Sequence, residues 1–186
     1  MRSGSLFIAS AACALALTVA GCASSPPPRA PSAHAIRAAQ TETFEERLLA
    51  AHNAERDRKH LPRLTWSDRL AQDARSWAEH LAHEDRMYHS DRSIRSGEGE
   101  NLWSGTASFY TPQQMVGAFL AERRYFKAGV FPNVSTTGKW ADVGHYSQVI
   151  WPSTLQVGCA LAHNKARDYL VCRYFPPGNV FGHPVG

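Results

Sequence analysis

The sequence has little excess charge, lacks the common local motifs of hydrolases and contains few cysteines. Its formal net charge of +4 is spread along the chain without a block of consecutive basic residues, which argues against a nucleic-acid partner. No serine lies in a G-x-S-x-G elbow, and no H-E-x-x-H motif joins the histidines. The sequence therefore names no catalytic nucleophile, and we expect no nucleotide or organic cofactor.

The longest apolar run stands near the start of the chain, where residues 6–20 follow the positively charged Arg2. The run is short for a membrane span and is typical of an export signal. It ends in TVAGC, which resembles the cleavage site of bacterial lipoproteins and implies a signal at residues 1–21 followed by a lipidated Cys22. An ordinary signal peptide cleaved nearby is the alternative.

The next segment, residues 22–40, contains four prolines and few large apolar side chains. We interpret it as a tether between the lipid and a single folded domain at residues 41–186. Cys13 lies in the signal and Cys22 at the lipidation site, so Cys159 and Cys172 remain for the domain. Because an exported chain meets an oxidising compartment, we predict that these two form a disulfide.

Capping signals and apolar periodicity predict three helices ahead of a strand-rich C-terminal third. The helices are expected at about residues 43–59, from residue 67 to beyond residue 81, and at 111–126. The glycine-punctuated stretch RSGEGEN is predicted to be a loop. Residues 145–151, 156–162 and 168–175 are rich in β-prone side chains and predict an antiparallel meander. Helices followed by strands indicate an α+β fold.

Four residues could together bind a divalent cation: His89, Glu100, Glu122 and His145. Two neutral imidazoles are suitable ligands for zinc or another divalent metal, and two carboxylates would balance its charge. Each residue also has a structural interpretation: a cation at a helix C-terminus for His89, a turn carboxylate for Glu100 and a core histidine for His145. Helical periodicity does not decide whether Glu122 or Arg123 faces inward.

A second histidine pair, His80 and His83, lies one helical turn apart. Such a pair can chelate a metal, but an exposed face of a surface helix is the favoured interpretation. Ser147 follows His145 by two residues, which would place both on one face of a strand.

Four stretches resemble the CAP superfamily of cysteine-rich secretory, antigen 5 and pathogenesis-related proteins. They are HNAER at 52–56, GENL at 99–102, GHYSQVIWPST at 144–154 and YLVCRYFPPGNV at 169–180. The resemblance covers about residues 43–181 and implies an α-β-α sandwich, with an antiparallel central sheet between helical layers and a central cleft.

The resemblance also implies a cleft tetrad, which falls on His89, Glu100, Glu122 and His145. The family has a tryptophan where this chain has Phe119, so the assignment of Glu122 depends on spacing. We expect His145 to head a central strand with its imidazole in the cleft. For His52, Asn53 and Arg56 of HNAER we expect polar packing contacts.

The function implied by the resemblance is binding rather than catalysis. We expect an envelope-anchored protein, placed at the outer membrane, whose His89 and His145 hold zinc or another divalent metal. A loop that contains Phe131 and Trp140 is the expected site for an apolar, lipid-like or sterol-like ligand, with ordinary packing as the alternative. The alternative functions are a metal-assisted protease or esterase that uses His145 and Glu122, and a surface interaction module in which the cleft has no role.

Overall fold

The computed structural model describes residues 42–95 and 97–186. Its α-helices are α1 (Phe44–Arg58), α2 (Asp68–Glu84), α3 (Pro112–Leu120) and α4 (Gly144–Val149), and 3-10 helices cover Ala121–Tyr125 and Trp140–Val143. Its strands are β1 (Thr65–Trp66), β2 (Gly99–Thr106), β3 (Gly129–Val130), β4 (Gln156–His163), β5 (Arg167–Phe175) and β6 (Pro184–Val185). The predicted export signal, Cys22 and the tether lie outside the described residues.

Local capping explains where the first three helices begin. The Thr43 hydroxyl accepts a hydrogen bond from the Glu46 backbone at 3.1 Å, and the Glu46 carboxylate accepts one from the Thr43 backbone at 2.8 Å. Thr111 and Gln114 form the same box at α3, and Ser67 caps α2. These starts confirm the capping predictions. The third helix was predicted to reach about residue 126. Its α-helical geometry stops at Leu120, and a tighter 3-10 helix continues to Tyr125.

The main sheet has the strand order β1-β4-β5-β2. β5 pairs antiparallel with β4 on one side and β2 on the other, while the short β1 pairs parallel with β4. The predicted loop RSGEGEN was wrong at its C-terminal end, since β2 begins at Gly99 and pairs with β5 from Gly99–Tyr174 to Thr106–Arg167. Glu100 therefore lies in an edge strand and not in a turn.

The predicted meander was wrong in its first member, because residues 144–149 form helix α4. Tyr146, Val149 and Ile150 are buried in the core, and their i, i+3, i+4 spacing is that of a helix face. The Glu122 carboxylate accepts hydrogen bonds from the first backbone N–H groups of α4. Burial and capping from a distant segment thus outweigh the β-propensity of these side chains.

The sheet lies between two helical layers, as predicted. Alternate side chains of its strands point to opposite faces. One face packs on α2 through Ala74, Ala78, Leu81, Leu102 and Val171. The other packs on α1, α3 and α4 through Leu48, Met115, Phe119, Val149, Leu170 and Tyr174. Among the described residues, no helix is long and apolar enough to cross a membrane.

The predicted disulfide is present in the hairpin of β4 and β5. Cys159 and Cys172 occupy directly opposed positions of the antiparallel pair, and their sulfur atoms are 2.08 Å apart. The bond joins the two central strands of the sheet.

Candidate functional site

The first half of the candidate site is the pair of His145 and Glu122. His145 is the second residue of α4, and its Nδ1 lies 2.6 Å from Oε1 of Glu122 in the 3-10 turn after α3. The other carboxylate oxygen of Glu122 accepts hydrogen bonds from the backbone N–H groups of His145 at 2.9 Å and Tyr146 at 3.1 Å. The ring of Phe119 stacks on the imidazole at a centroid distance of 5.1 Å. These contacts fix both the position and the plane of the His145 ring.

The second half is the pair of His89 and Glu100. His89 Nδ1 lies 2.6 Å from Glu100 Oε1, and the Glu100 side chain is fully buried while that of His89 is 56% exposed. Glu100 also accepts hydrogen bonds from the backbone and the hydroxyl of Ser90, and its Oε2 lies 3.1 Å from Nη2 of Arg173. The carboxylate is thus held by its neighbours while the imidazole faces outward.

The environment of Glu100 keeps its carboxylate ionised. Burial acts to raise the pKa of this carboxyl, because the charged form loses solvation. The hydrogen bond from His89, the charge of Arg173 and the hydrogen bond from Ser90 act in the opposite direction and prevail, so the pKa lies below its usual range. Arg173 stands directly opposite Glu100 in the β2–β5 register.

The edge strand β2 joins the two pairs. Glu100 belongs to the pair with His89, and the next residue, Asn101, donates hydrogen bonds from Nδ2 to the backbone oxygen of His145 at 3.0 Å and to the Tyr174 hydroxyl at 3.2 Å. Successive strand residues point to opposite faces. The structure therefore arranges the four predicted residues as two His–carboxylate pairs, which strand β2 connects through Glu100 and Asn101.

Both pairs leave the same imidazole atom available. A carboxylate next to Nδ1 favours the tautomer with the proton on Nδ1, which leaves Nε2 with its lone pair. Among the described residues, neither His89 Nε2 nor His145 Nε2 has a hydrogen-bond partner. Each Nε2 can accept a proton or bind a metal ion. In the described part of the chain, however, the tetrad does not place three ligand atoms within 4.8 Å of one another. The four residues therefore do not form a closed metal-binding site.

One buried cluster, His52 with Cys159 and Cys172, does place three potential metal-ligand atoms within 4.8 Å of one another. Its sulfurs are joined in the disulfide, and both ring nitrogens of His52 are occupied, by the Leu48 backbone oxygen at 2.8 Å and the Tyr174 hydroxyl at 2.9 Å. The group is therefore a packing contact in this oxidised state.

The other polar residues of HNAER form the packing contacts that the sequence predicted. Asn53 bonds both the backbone N–H and the oxygen of Leu64. Arg56 is fully buried and donates to backbone oxygens in the turn after α1, at the last residue of α4 and in the segment after α4.

The remaining candidate residues belong to neither of the two His–carboxylate pairs. His80 lies 2.6 Å from the Tyr88 hydroxyl and stacks on Trp77, while His83 is exposed. Ser147 donates to the Asn179 side chain at 2.6 Å, so its hydroxyl is directed away from a catalytic role with His145. Phe131 is 1% exposed and belongs to the core, whereas Trp140, whose ring centroid lies 5.3 Å from that of Phe131, is 43% exposed.

The sequence analysis did not identify two buried residues, Glu55 and Arg173, that support the two His–carboxylate pairs. The buried Glu55 accepts hydrogen bonds from Arg123 and from the Tyr146 hydroxyl, the residues that follow Glu122 and His145. Arg173 is buried behind Glu100, and within the described part of the chain its Nε has no hydrogen-bond partner. A charged residue between the apolar side chains of VCRYF could have indicated Arg173, but no local pattern connects Glu55 with residues 122–146.

The chain is similar to known proteins over most of its described residues. The family model for CAP, the cysteine-rich secretory protein family, matches residues 49–174. The chain belongs to the CAP family. Pathogenesis-related protein 1C of Nicotiana tabacum is 33% identical over 142 residues, covering 76% of this chain and 80% of the relative. The pathogenesis-related protein PR-1 type of Sambucus nigra is 34% identical over 133 residues, covering 71% and 75%.

A secreted protein and two solved structures are also similar to this chain. Secreted protein RBT4 of Candida albicans is 32% identical over 142 residues, covering 75% of this chain and 36% of the relative. A secreted relative supports export of this chain. The structure of BmVAL-1 has a TM-score of 0.63 at 21% identity, covering 77% of this chain and 82% of that one. NaASP2, solved with Zn²⁺, has a TM-score of 0.62 at 23% identity, covering 74% and 82%. Both share the fold.

Proposed function

We propose that this CAP domain is an exported, envelope-anchored binding protein whose tetrad holds a divalent metal ion. The observation that carries the proposal is the matched geometry of the two pairs. Each imidazole has its Nδ1 at 2.6 Å from a glutamate oxygen, and each leaves Nε2 free of partners among the described residues. Carboxylates in this position orient metal-binding histidines and raise their basicity.

The chemistry of these donors fits zinc or a similar borderline ion. His89 Nε2 and His145 Nε2 would be the protein ligands, and the metal would supply a cationic centre for a bound ligand. Glu100 and Glu122 would hold the tautomer and the ring planes. Two protein ligands are fewer than the three or four of most zinc sites, so we expect weak and exchangeable binding. The related fold of NaASP2 was solved with Zn²⁺, which makes zinc the first metal to test.

A zinc titration followed by calorimetry tests this proposal. The protein is titrated at pH 7.5 and pH 5.5 beside a His89→Ala, His145→Ala double variant. The matched control is a His83→Ala, His163→Ala variant, because both of these histidines are exposed. Binding at the higher pH that falls at the lower pH, and that only the tetrad variant loses, is the expected result, since protons compete for the imidazoles. Binding that survives in the tetrad variant would exclude these ligands.

The membrane anchor is part of the same proposal. It depends on the TVAGC sequence before residue 23 and on Ala23, which lacks the aspartate associated with retention at the inner membrane. Fractionation of cells that express the intact chain should find it in the outer membrane, and Cys22→Ser should release it. Recovery mainly in the inner membrane would contradict the outer-membrane assignment.

The apolar-ligand proposal now centres on Trp140 rather than on Phe131. Phe131 is almost fully buried, whereas Trp140 presents 43% of its surface. The Trp140 ring lies against Gly144, where an added Cβ would be 3.3 Å from the ring, so the exposed indole adjoins the start of α4. Titration with a fluorescent sterol should show reduced binding for Trp140→Ser and unchanged binding for Phe109→Ser, an exposed aromatic elsewhere. Equal binding by both variants would contradict the assignment.

A metal-assisted hydrolase is the second candidate, and the short His145–Glu122 contact favours it. A histidine held by a carboxylate can act as general base for a water molecule. The nearby Ser147 does not fit the role of nucleophile, because its hydroxyl donates to Asn179 and lies 3.3 Å from the Gly144 backbone oxygen. Peptide and ester libraries, assayed with and without zinc, should show turnover that His145→Ala abolishes if this candidate is correct.

A further inference from the structure

The disulfide between Cys159 and Cys172 lies against His52 of helix α1. One potential metal-ligand atom of each of these three residues lies within 4.8 Å of the other two. All three residues are buried, with 0 to 3% of their surface exposed. Thiolate sulfur and imidazole nitrogen are ligands that proteins use for transition metals. No tetrad residue belongs to this cluster, which lies in the core between α1 and the β4–β5 hairpin.

The hydrogen bonds of His52 decide which ring nitrogen could bind a metal ion. Nδ1 lies 2.8 Å from the Leu48 backbone oxygen, and this oxygen only accepts, so Nδ1 carries the proton. Nε2 therefore has the lone pair and accepts a hydrogen bond from the Tyr174 hydroxyl at 2.9 Å. A donated Nδ1 bond of this kind also orients metal-binding histidines. A metal ion on Nε2 would have to displace the Tyr174 hydroxyl.

A buried cation follows His52 by one helical turn. Arg56 is fully buried, and among the described residues its hydrogen bonds all go to backbone oxygens. Residues four apart lie on the same side of a helix, so the guanidinium and the imidazole share one face of α1. A buried charge whose acceptors are all neutral is costly. A complex of negative charge at His52 would lower that cost.

A surface cavity reaches one of the two cysteines. Cys159 is among the residues that line a cavity of about 310 Å³, together with Glu45 of α1 and Asp68 of α2. The short strand β1 ends at Trp66, which also lines the cavity. Among the described strands, none continues β1 along the edge of β4. A small reductant and a metal ion could therefore approach Cys159 from this side.

We propose that the reduced form of this cluster is a copper(I) site, whose ligands are Sγ of Cys159, Sγ of Cys172 and Nε2 of His52. Reduction breaks the S–S bond. A dithiol supplies two electrons and two protons, becomes a disulfide itself and leaves two cysteine thiols. Each thiol then releases its proton to solvent as its sulfur binds the ion.

The choice of copper(I) follows from the ligands and from the charge. Soft thiolates bind copper(I) well, whereas structural zinc sites usually have four ligands. Two thiolates and one monovalent ion give a complex with a single negative charge, which the buried Arg56 would balance. The inference does not rest on the proposed function of the tetrad.

The test is a titration of the reduced protein with copper(I) in competition with bathocuproine disulfonate, a coloured copper(I) chelator. The intact chain carries Cys13→Ser and Cys22→Ser, so that the disulfide pair supplies its only thiols. After reduction with a phosphine, which is removed under nitrogen, we expect the protein to withdraw one equivalent of copper(I) from the chelator. The disulfide form should withdraw none. Cys159→Ser should lose the binding although its tetrad is intact, and equal binding by the oxidised and reduced forms would overturn the proposal.

Two further variants test the third ligand. His52→Gln keeps both thiols, so it should weaken copper(I) binding by about tenfold or more and remove the nitrogen neighbour from the X-ray absorption spectrum. Tyr174→Phe should tighten binding by about fivefold, because it removes the hydrogen bond that competes for Nε2. His83→Gln and Tyr110→Phe, the same changes at exposed positions, should leave the affinity unchanged. An unchanged affinity in His52→Gln would overturn the site, and no gain in Tyr174→Phe would overturn Nε2 as its ligand.

The binding must also be to the folded chain, because an unfolded chain exposes the same two thiols. Circular dichroism before the titration should show that the reduced protein keeps its helices. A ligand that binds only the folded state stabilises that state, so copper(I) should raise the urea midpoint of the reduced protein. Loss of the helical signal on reduction, or a midpoint that copper(I) lowers or leaves unchanged, would overturn the proposal.

Discussion

The Glu122 carboxylate holds His145 by both its ring and its backbone. One oxygen lies 2.6 Å from the imidazole Nδ1, and the other accepts the His145 backbone N–H at 2.9 Å. The same group thus caps helix α4 and sets the orientation of the imidazole. Because the backbone and the ring contact different oxygens of Glu122, and a glutamine has only one side-chain oxygen, the two roles can be separated by mutation.

Glu122→Gln should keep the helix and weaken the metal site. The amide oxygen can still accept from the backbone of α4, but the amide nitrogen would then donate to Nδ1 and move the ring proton to Nε2. We expect zinc affinity to fall by about 10- to 100-fold, the usual effect of losing such a carboxylate. Zinc titration and the ¹⁵N shifts of the imidazole measure the two effects. Glu79→Gln, at an exposed position on α2, is the control, and an unchanged His145 tautomer in Glu122→Gln would contradict the assigned role.

Arg56→Lys should destabilise the fold strongly although the charge is kept. Arg56 donates to the backbone oxygens of Pro62, Val149, Trp151 and Thr154 at 2.7 to 3.0 Å. Lysine cannot reproduce this planar fork, so buried carbonyl groups would lose their partners at a cost of about 3 kcal/mol. Urea unfolding measures the loss.

The control for Arg56 is Arg63→Lys, since the Arg63 side chain is 65% exposed and lies 3.5 Å from Asp57. Its effect should stay within about 0.5 kcal/mol, as for most surface substitutions. Similar losses in the two variants would mean that the four carbonyl contacts do not stabilise the fold.

Phe131→Ser and Trp140→Ser should differ in stability. Phe131 is 1% exposed and packs with Trp151 and Phe181, so its loss should cost about 3 to 5 kcal/mol. Trp140 is 43% exposed, and Trp140→Ser should cost much less. Thermal unfolding distinguishes the two variants. A similar stability for both would mean that Phe131 is available to a ligand without a folding penalty.

Helices that begin with a capping residue next to them in the sequence were predictable. A helix whose first N–H groups are capped by a residue far away in the sequence was not. Thr43 with Glu46 and Thr111 with Gln114 satisfy the first N–H groups of their own helices. Helix α4 has no such local cap, because its acceptor is Glu122, more than twenty residues earlier in the chain. Its composition is that of a strand, and only its buried face indicates a helix.

The candidate site shows the same limit. The four tetrad residues could be named from the resemblance, but the choice between Glu122 and Arg123 could not be made from periodicity. In the fold both are used, since Glu122 contacts His145 and Arg123 contacts Glu55 at 3.1 Å. The first three residues of β2 were predicted as part of a loop because the glycines suggest a turn, and the partner strand β5 begins about sixty residues after β2 ends. Pairing over that separation leaves no local pattern.

His52 should make the stability of the fold depend on pH between about 4 and 6.5. Burial lowers the pKa of His52 to about 4; the Leu48 backbone oxygen acts to raise it, and the charge of Arg56 lowers it further. The unfolded chain keeps a value of about 6.5. Between the two values the unfolded state binds more protons than the folded state, so acid favours unfolding. The free energy of unfolding should be at its plateau above about pH 6.5 and fall by about 3 kcal/mol as pH approaches 4.

Urea unfolding at pH 7, 6 and 5 measures this slope above the range in which the carboxylates titrate. The pKa values of Glu55 and Glu100 are lowered in the fold, so their contributions are lost only below about pH 4.5. His52→Gln can keep one hydrogen bond, to Leu48 or to Tyr174, while removing the titrating group, and it should flatten the slope even if it lowers stability at every pH. His163→Gln, at an exposed position, should keep the slope of the unsubstituted protein. A slope that persists in His52→Gln would show that another group takes up the proton, and that the buried imidazole is not what makes the fold sensitive to mild acid.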